Sequence, residues 1–160
     1  MHSNLLDAEQ GSQLVHACNT EGAWGAGIAA MFARLYPQYY AAYKAHCDYH
    51  GKNLLGTCLI LGGKYHDVGC LFTSNGFGRR ALFRDEILEN TRKSLVDLFS
   101  QIPDTDEVNM PRINAGLFRV PWPQTLAIVE EFKERNIKIW TPETSTDDST
   151  SRSRYSRSSL

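Results

Sequence analysis

The sequence is short of the features that would tie a chain to a membrane, a polyanion or an oxidising compartment. No apolar run approaches the ~20 residues that a bilayer span needs, and no basic-then-apolar leader opens the chain. Membrane association and secretion are therefore not expected. Charge of one sign is also missing: 17 Lys and Arg stand against 18 Asp and Glu, a formal net charge of -1. That balance does not advertise a stable nucleic-acid complex. The four cysteines, Cys18, Cys47, Cys58 and Cys70, are spread through a chain of 160 residues, too large to need stapling. They read as reduced, mostly buried thiols of a cytoplasmic or nuclear protein.

Familiar cofactor signatures are absent too. No G-x-x-x-x-G-K-[ST] occurs, and Gly22, Gly25 and Gly27 miss the dinucleotide G-x-G-x-x-G register. His46, Cys47 and His50 share a face at helical spacing but lack a distant fourth ligand, so no zinc is expected there. No carboxylate cluster with metal-ligand spacing is visible. The expectation is a protein without metal or cofactor.

What is present fits one domain, with 42% hydrophobic residues to build its core. Residues 13–18 read as a short buried strand. Residues 28–36 read as a helix closed by Pro37, and 38–50 as a second helix carrying Tyr39, Tyr43, Cys47 and His50, with Gly51 as its stop. Two strands are expected at 54–61 and 68–74, joined around Gly62 and Gly63. The longest helical pattern covers 81–101, with Ile87, Thr91, Leu95, Leu98 and Ile102 on one stripe. A strand at 108–113, a helix at 124–135 and a strand at 137–140 follow. Strands alternating with helices predict an α/β domain with helices on both faces of a sheet.

The domain is expected to end near Thr141. In residues 141–160, eleven of twenty are Ser or Thr, and three acids balance three arginines. Residues 142–160 therefore read as a disordered tail whose serines beside Arg152, Arg154 and Arg157 are candidate phosphorylation sites.

Two turns carry the chemistry. Residues 16–28 and 113–122 each bear glycine, follow a strand and precede a helix, where open α/β sheets bind ligands. Glycine admits close approach to the backbone, and the first N–H groups of a helix lack partners, so such a turn suits a phosphate. His16 at the strand end is either a proton donor and acceptor or a core histidine satisfied by a carbonyl. Asn19 either positions a water or ribose hydroxyl, or closes an Asx-type turn. Trp24 either stacks on a sugar or base, or folds back onto the core. Residues 75–80 read as a loop able to move and to present Arg79 and Arg80.

Taken together, His16-Ala17-Cys18-Asn19, the run 22–29 (Gly-Ala-Trp-Gly-Ala-Gly-Ile-Ala) and Met110-Pro-Arg-Ile-Asn-Ala-Gly-Leu-Phe-Arg-Val-Pro-Trp122 resemble the macrodomain family. The likeness is greatest to the fungal ADP-ribose 1''-phosphate phosphatases, which Gly51–Gly56 and Cys70–Ser74 also resemble, and it spans about residues 3–141. It implies a three-layer α/β/α sandwich on a mixed sheet, with the first strand, which should precede Ser3, truncated. It implies a cleft for a small ADP-ribose derivative in a protein expected to be monomeric. By the resemblance, Ser3, Asn4 and Leu5 lie near the adenine. His16, Ala17 and Cys18, with Ala23, Trp24, Gly25, Ala26, Gly27 and Ile28, wrap the terminal ribose and pyrophosphate. Ile113, Asn114, Ala115, Gly116, Leu117, Phe118 and Arg119 close over the diphosphate. The implied activity is phosphate removal from ADP-ribose 1''-phosphate, a by-product of tRNA splicing, with His16 and Asn19 as catalytic candidates. The alternatives are a module that binds ADP-ribose unaltered and a hydrolase of protein-linked ADP-ribose. The hydrolase is disfavoured, because such macrodomains place a lysine near Ser74 and an aspartate near Phe118, and this chain has neither.

Overall fold

The computed structural model describes residues 5–63, 66–76 and 82–141, together with a strand at 154–156. Its centre is β1 (Gln13–Asn19), whose burial on both faces follows from helices covering each side of the sheet. Alternation sends Leu14 and Cys18 to one core and Val15 and Ala17 to the other. The order across the sheet is β2 (Cys58–Leu61), β3 (Asp67–Ser74), β1, β4 (Glu107–Met110), β5 (Asn136–Trp140) and β6 (Arg154–Ser156). The inner pairs β3–β1, β1–β4 and β4–β5 are parallel; β2–β3 and β5–β6 are antiparallel.

The two cores differ in kind. On one face, α1 (Gly27–Leu35) and α2 (Pro37–His50) bury aromatics: Phe32, Tyr36, Tyr39 and Tyr43 meet Trp24 and Phe72. On the other, α3 (Arg84–Gln101) and α4 (Trp122–Val129) pack aliphatic side chains against Val15, Leu71, Val108, Ile137 and Ile139. Each such fully buried side chain contributes roughly 1.5–3 kcal/mol relative to exposure. The expected stripe of Ile87, Thr91, Leu95, Leu98 and Ile102 is buried throughout. Gly51 ends α2 with φ 55°, a left-handed geometry that glycine adopts without strain, and its N–H donates to the carbonyl of Cys47.

Three expected elements are corrected. Residues 54–57 are not strand: Gly51–Leu54 is a 3-10 turn, Gly56 sits at φ 81°, and the strand begins only at Cys58. Apolar Leu54-Leu55 mimicked a strand start because a short apolar run carries no period. The strand expected at 108–113 stops at Met110, before Pro111, which has no N–H for the ladder. The helix expected at 124–135 runs from Trp122 to Val129 and then breaks into turns, Glu131 and Phe132 donating to Ile128 and Val129. Of the tail at 142–160, only 154–156 fall among the described residues, and they pair antiparallel with β5. No helix among the described residues is long and apolar enough to cross a membrane.

Candidate functional site

From β1 the chain crosses toward β2 and β3; from β4 it crosses toward β5, on the opposite side. The carboxyl ends of these two adjacent parallel strands therefore form a switch point, where loops diverge and leave a crevice. A cavity of about 1030 Å³ lies there, lined by both turns singled out from sequence. This is at the upper end of the roughly 300–1,000 Å³ typical of small-molecule sites.

The first turn is held by its own asparagine. Asn19 Oδ1 accepts from the amides of Glu21 at 2.9 Å and Ala23 at 3.2 Å, while Nδ2 donates to the Ala23 carbonyl at 2.8 Å. Tyr43 of α2 locks the same residue, its hydroxyl donating to the Asn19 carbonyl at 2.7 Å and to Oδ1 at 3.1 Å. Asn19 thus closes an Asx-type turn and braces the loop, and it also lines the cavity. Trp24 is 4% exposed and stacked on Tyr43 and Tyr40, so of its two readings the fold-back onto the core is the one realised. Gly22, at φ 80°, lies against Lys44, and a Cβ there would come within 3.3 Å of Lys44 Cγ.

This turn delivers the chain into α1 with an open end. Ala26 at the N-cap makes no side-chain cap, and the first turn holds no acid. A Ser or Asp cap would stabilise the helix by about 1 kcal/mol. Gly25, Ala26, Gly27 and Ile28 line the cavity at the start of α1, where helix geometry gives the first amides no partner within the helix and the positive end of the dipole lies.

The second turn is anchored differently. Asn114 adopts a left-handed φ of 67° and is 5% exposed. Its Oδ1 accepts from Thr73 Oγ1 at 3.0 Å; its Nδ2 donates to Thr91 Oγ1 at 2.9 Å and Thr125 Oγ1 at 3.4 Å. These threonines are fully buried on β3, α3 and α4, so one side chain ties the turn to three elements. The Val120 amide donates to the Asn114 carbonyl at 2.9 Å, closing the loop. Gly116, Leu117 and Phe118 face the cavity from within it.

At the floor lies an ionisable cluster. His16 is 1% exposed, edge-on to Trp24 and Phe32, with Nε2 3.3 Å from Cys18 Sγ. Burial works against a Cys18 thiolate, yet hydrogen bonding from Cys70 outweighs it together with the charge and hydrogen bond of His16, helped by the Trp24 indole. The Cys18 thiol is brought down to about 5. Burial and the neighbouring Cys18 charge push Cys70 well up, so of the two only Cys18 ionises near neutrality.

Most expected contacts meet at this cavity: Leu5, His16, Ala17, Cys18, Asn19, the stretch Ala23–Ile28, and Ile113, Asn114, Gly116, Leu117 and Phe118. Ala115 and Arg119 do not line it; Arg119 stands at φ 61° with its amide donating to the Gly116 carbonyl. Ser3, Asn4, Arg79 and Arg80 lie outside the described residues. Ala29, Met31, Pro111, Arg112 and Trp140 line the cavity without having been expected. Among the described lining residues only Arg112 carries a permanent charge. Ser74 is turned away into its own loop, donating to the Gly76 carbonyl at 3.0 Å. His46 and His50 touch edge-on at 4.6 Å, but Cys47 points at the Asn19 carbonyl, so the helical trio does not converge.

Residues 15–129 match the family model described as the Macro domain. The chain belongs to the macrodomain family. A curated relative, the ADP-ribose 1''-phosphate phosphatase of Meyerozyma guilliermondii, is 40% identical over 146 residues, covering 75% of this chain and 83% of its own length. Among solved structures, the macrodomain of Mycobacterium tuberculosis DarG superposes with a TM-score of 0.70 at 22% identity, over 88% of this chain and 94% of its own. Thermosipho africanus DarTG in complex with ADP-ribose superposes at 0.67 and 15% identity, over 91% of this chain and 42% of its own. The structural likenesses establish the macrodomain fold, an α/β sandwich on a mixed sheet.

Proposed function

We propose that this chain is an ADP-ribose 1''-phosphate phosphatase, a hydrolase releasing ADP-ribose and inorganic phosphate. The observation that carries the reading is the convergence of the uncapped start of α1 and the turn around Gly116–Phe118 on a single cavity. The curated relatives that bear this name support it, and the Thermosipho protein solved with ADP-ribose supports the ligand class.

In this reading the 1''-phosphate rests on the amides of Gly25–Ile28, where negative charge accumulating in the transition state meets fixed donors. The second turn, held by Asn114, covers the diphosphate, and Arg112 adds positive charge at the rim. Water attacks phosphorus while the bond to the ribose oxygen breaks. His16, protonated, supplies the proton that the departing ribose oxygen needs, and the proton lost by water leaves on the phosphate. The Trp24 and Phe32 rings fix the imidazole for that transfer. The reading extends to a monomeric enzyme of the cytoplasm or nucleus that consumes a by-product of tRNA splicing; the free, buried state of all four cysteines supports the compartment.

The test is phosphate release from ADP-ribose 1''-phosphate by the wild type and by His16→Ala, beside calorimetric binding of ADP-ribose. The expected result is release by the wild type, a loss of about 10²–10⁴-fold in the variant, and binding retained in both. Binding without release by the wild type would make the protein a reader. Full activity in His16→Ala would remove the imidazole from the mechanism.

A further inference from the structure

The floor of the cavity holds a donor set that phosphate hydrolysis does not use in full. In the parallel pairing of β1 with β3, His16 lies opposite Cys70 and Cys18 opposite Phe72. His16 and Cys18, two residues apart, share a face of β1, and the cross-strand partner of His16 shares it with them. The pleat therefore gathers one imidazole and two thiols into a buried cluster whose donor atoms all lie within 4.8 Å of one another. No disulfide joins Cys18 and Cys70; both cysteines are free.

We propose that His16 Nε2, Cys18 Sγ and Cys70 Sγ form a binding site for a single thiophilic divalent cation of the zinc class, its fourth coordination position opening on the substrate cavity. Ligand type fits, because two sulfurs and one imidazole nitrogen are the donors such ions prefer over oxygen. Dimensions fit as well. Bond lengths of about 2.3 Å to sulfur and about 2.0 Å to nitrogen on a tetrahedral ion place S and N roughly 3.6 Å apart and the two sulfurs roughly 3.8 Å apart. The present Sγ to Nε2 separation is 3.3 Å, so the ion requires side-chain adjustments only. His16 and Cys18 line the cavity, which gives the ion its route in and leaves a water or a phosphate oxygen as the fourth ligand. Binding displaces to solvent whatever protons the two sulfurs and the imidazole Nε2 still hold, and occupies the Nε2 lone pair. The cation is thus an inhibitor of phosphate release, a consequence that rests on the role given to His16 above, whereas the site itself does not.

The test uses the full-length reduced protein and cadmium as the probe, followed by its thiolate charge-transfer absorption in the ultraviolet. The expected result is saturation at one ion per chain, competition by zinc, and an increase in the thermal midpoint of the wild type. Cys18→Ser and Cys70→Ser should each weaken binding by about 10–100-fold or more, while Cys47→Ser, whose thiol is not among the donors, leaves it unchanged. Unchanged absorption in the Cys18→Ser/Cys70→Ser double variant would overturn the site. So would a wild-type midpoint that cadmium leaves where it was, an arm that needs no variant to fold. Phosphate release is measured on the same samples: inhibition reversed by a chelator supports the shared imidazole. Stoichiometric binding with unaltered release upholds the site and overturns the role of His16.

Discussion

The two turns that border the cavity use the same side chain in opposite ways. Asn19 bonds inward, to the backbone of its own loop, and borrows rigidity from the Tyr43 hydroxyl. Asn114 bonds outward, to buried hydroxyls of three separate elements, while its backbone takes the left-handed turn. The first turn is consequently a local structure leaning on an aromatic wall; the second is part of the core. Both designs spend side-chain polar atoms on holding the loop; in the proposed reading, main-chain amides are then left to meet the ligand. A site of this kind specifies a shape for phosphates while carrying little charge of its own.

Breaking each anchor in turn should expose that difference. Asn114→Ala imposes a positive φ on alanine and strands buried hydroxyls. The expected loss is about 2–4 kcal/mol in chemical denaturation. Asn19→Ala should cost less, about 1–2 kcal/mol, because the loop amides it satisfies can turn to water. Its damage should fall instead on ADP-ribose affinity. Equal stability losses in the two variants would erase the distinction.

Glycines sharpen the comparison without touching either anchor. A Cβ at Gly25 or at Gly116 meets nothing within 4 Å, so alanine should leave stability within about 0.5 kcal/mol of the wild type. If both turns press on the ligand, each variant should lose about tenfold or more in calorimetric affinity. A loss at one glycine alone would reduce the grip to a single turn.

The smallest effect lies far from the cavity. Arg92 of α3 clasps Glu131 through two bonds of 2.9 Å, and this pairing lowers the Glu131 carboxyl below its ordinary value. A carboxyl that ionises more readily when folded contributes its stability above the unfolded pKa and loses it as pH falls through the folded one. Glu131→Gln should therefore cost only about 0.2–1 kcal/mol at neutral pH, since the pair is exposed, and nothing once the carboxyl is protonated. Urea midpoints measured at neutral and acid pH check the sign, with ligand binding expected to be unaffected.

How much of this was legible follows from how far each signal travels along the chain. Strand β1, the glycine turn and the helices around Tyr39, Tyr43 and Leu95 announce themselves within a few residues, and the second turn does so equally. Met31 lies three residues beyond Ile28 on the same helix face, so the helical period already placed it near the cavity. Trp140 and Pro111 come together only because Met110 pairs with Ile139, a register that requires the strand order. The Asn114 network joins residues 41, 23 and 11 positions away, and nothing local predicts which threonines lie there. Nor does composition reveal that His16 faces Cys70; that needed the pairing of β1 with β3.

The central claim is that main-chain amides of both turns hold one diphosphate-linked sugar together. The direct measurement is a titration of the amide-labelled protein with ADP-ribose, followed residue by residue through backbone N–H resonances. The account predicts that Gly25, Gly27, Gly116 and Leu117 shift together and saturate at one equivalent. Shifts confined to one turn, or scattered over the α3 and α4 face of the sheet, would contradict it.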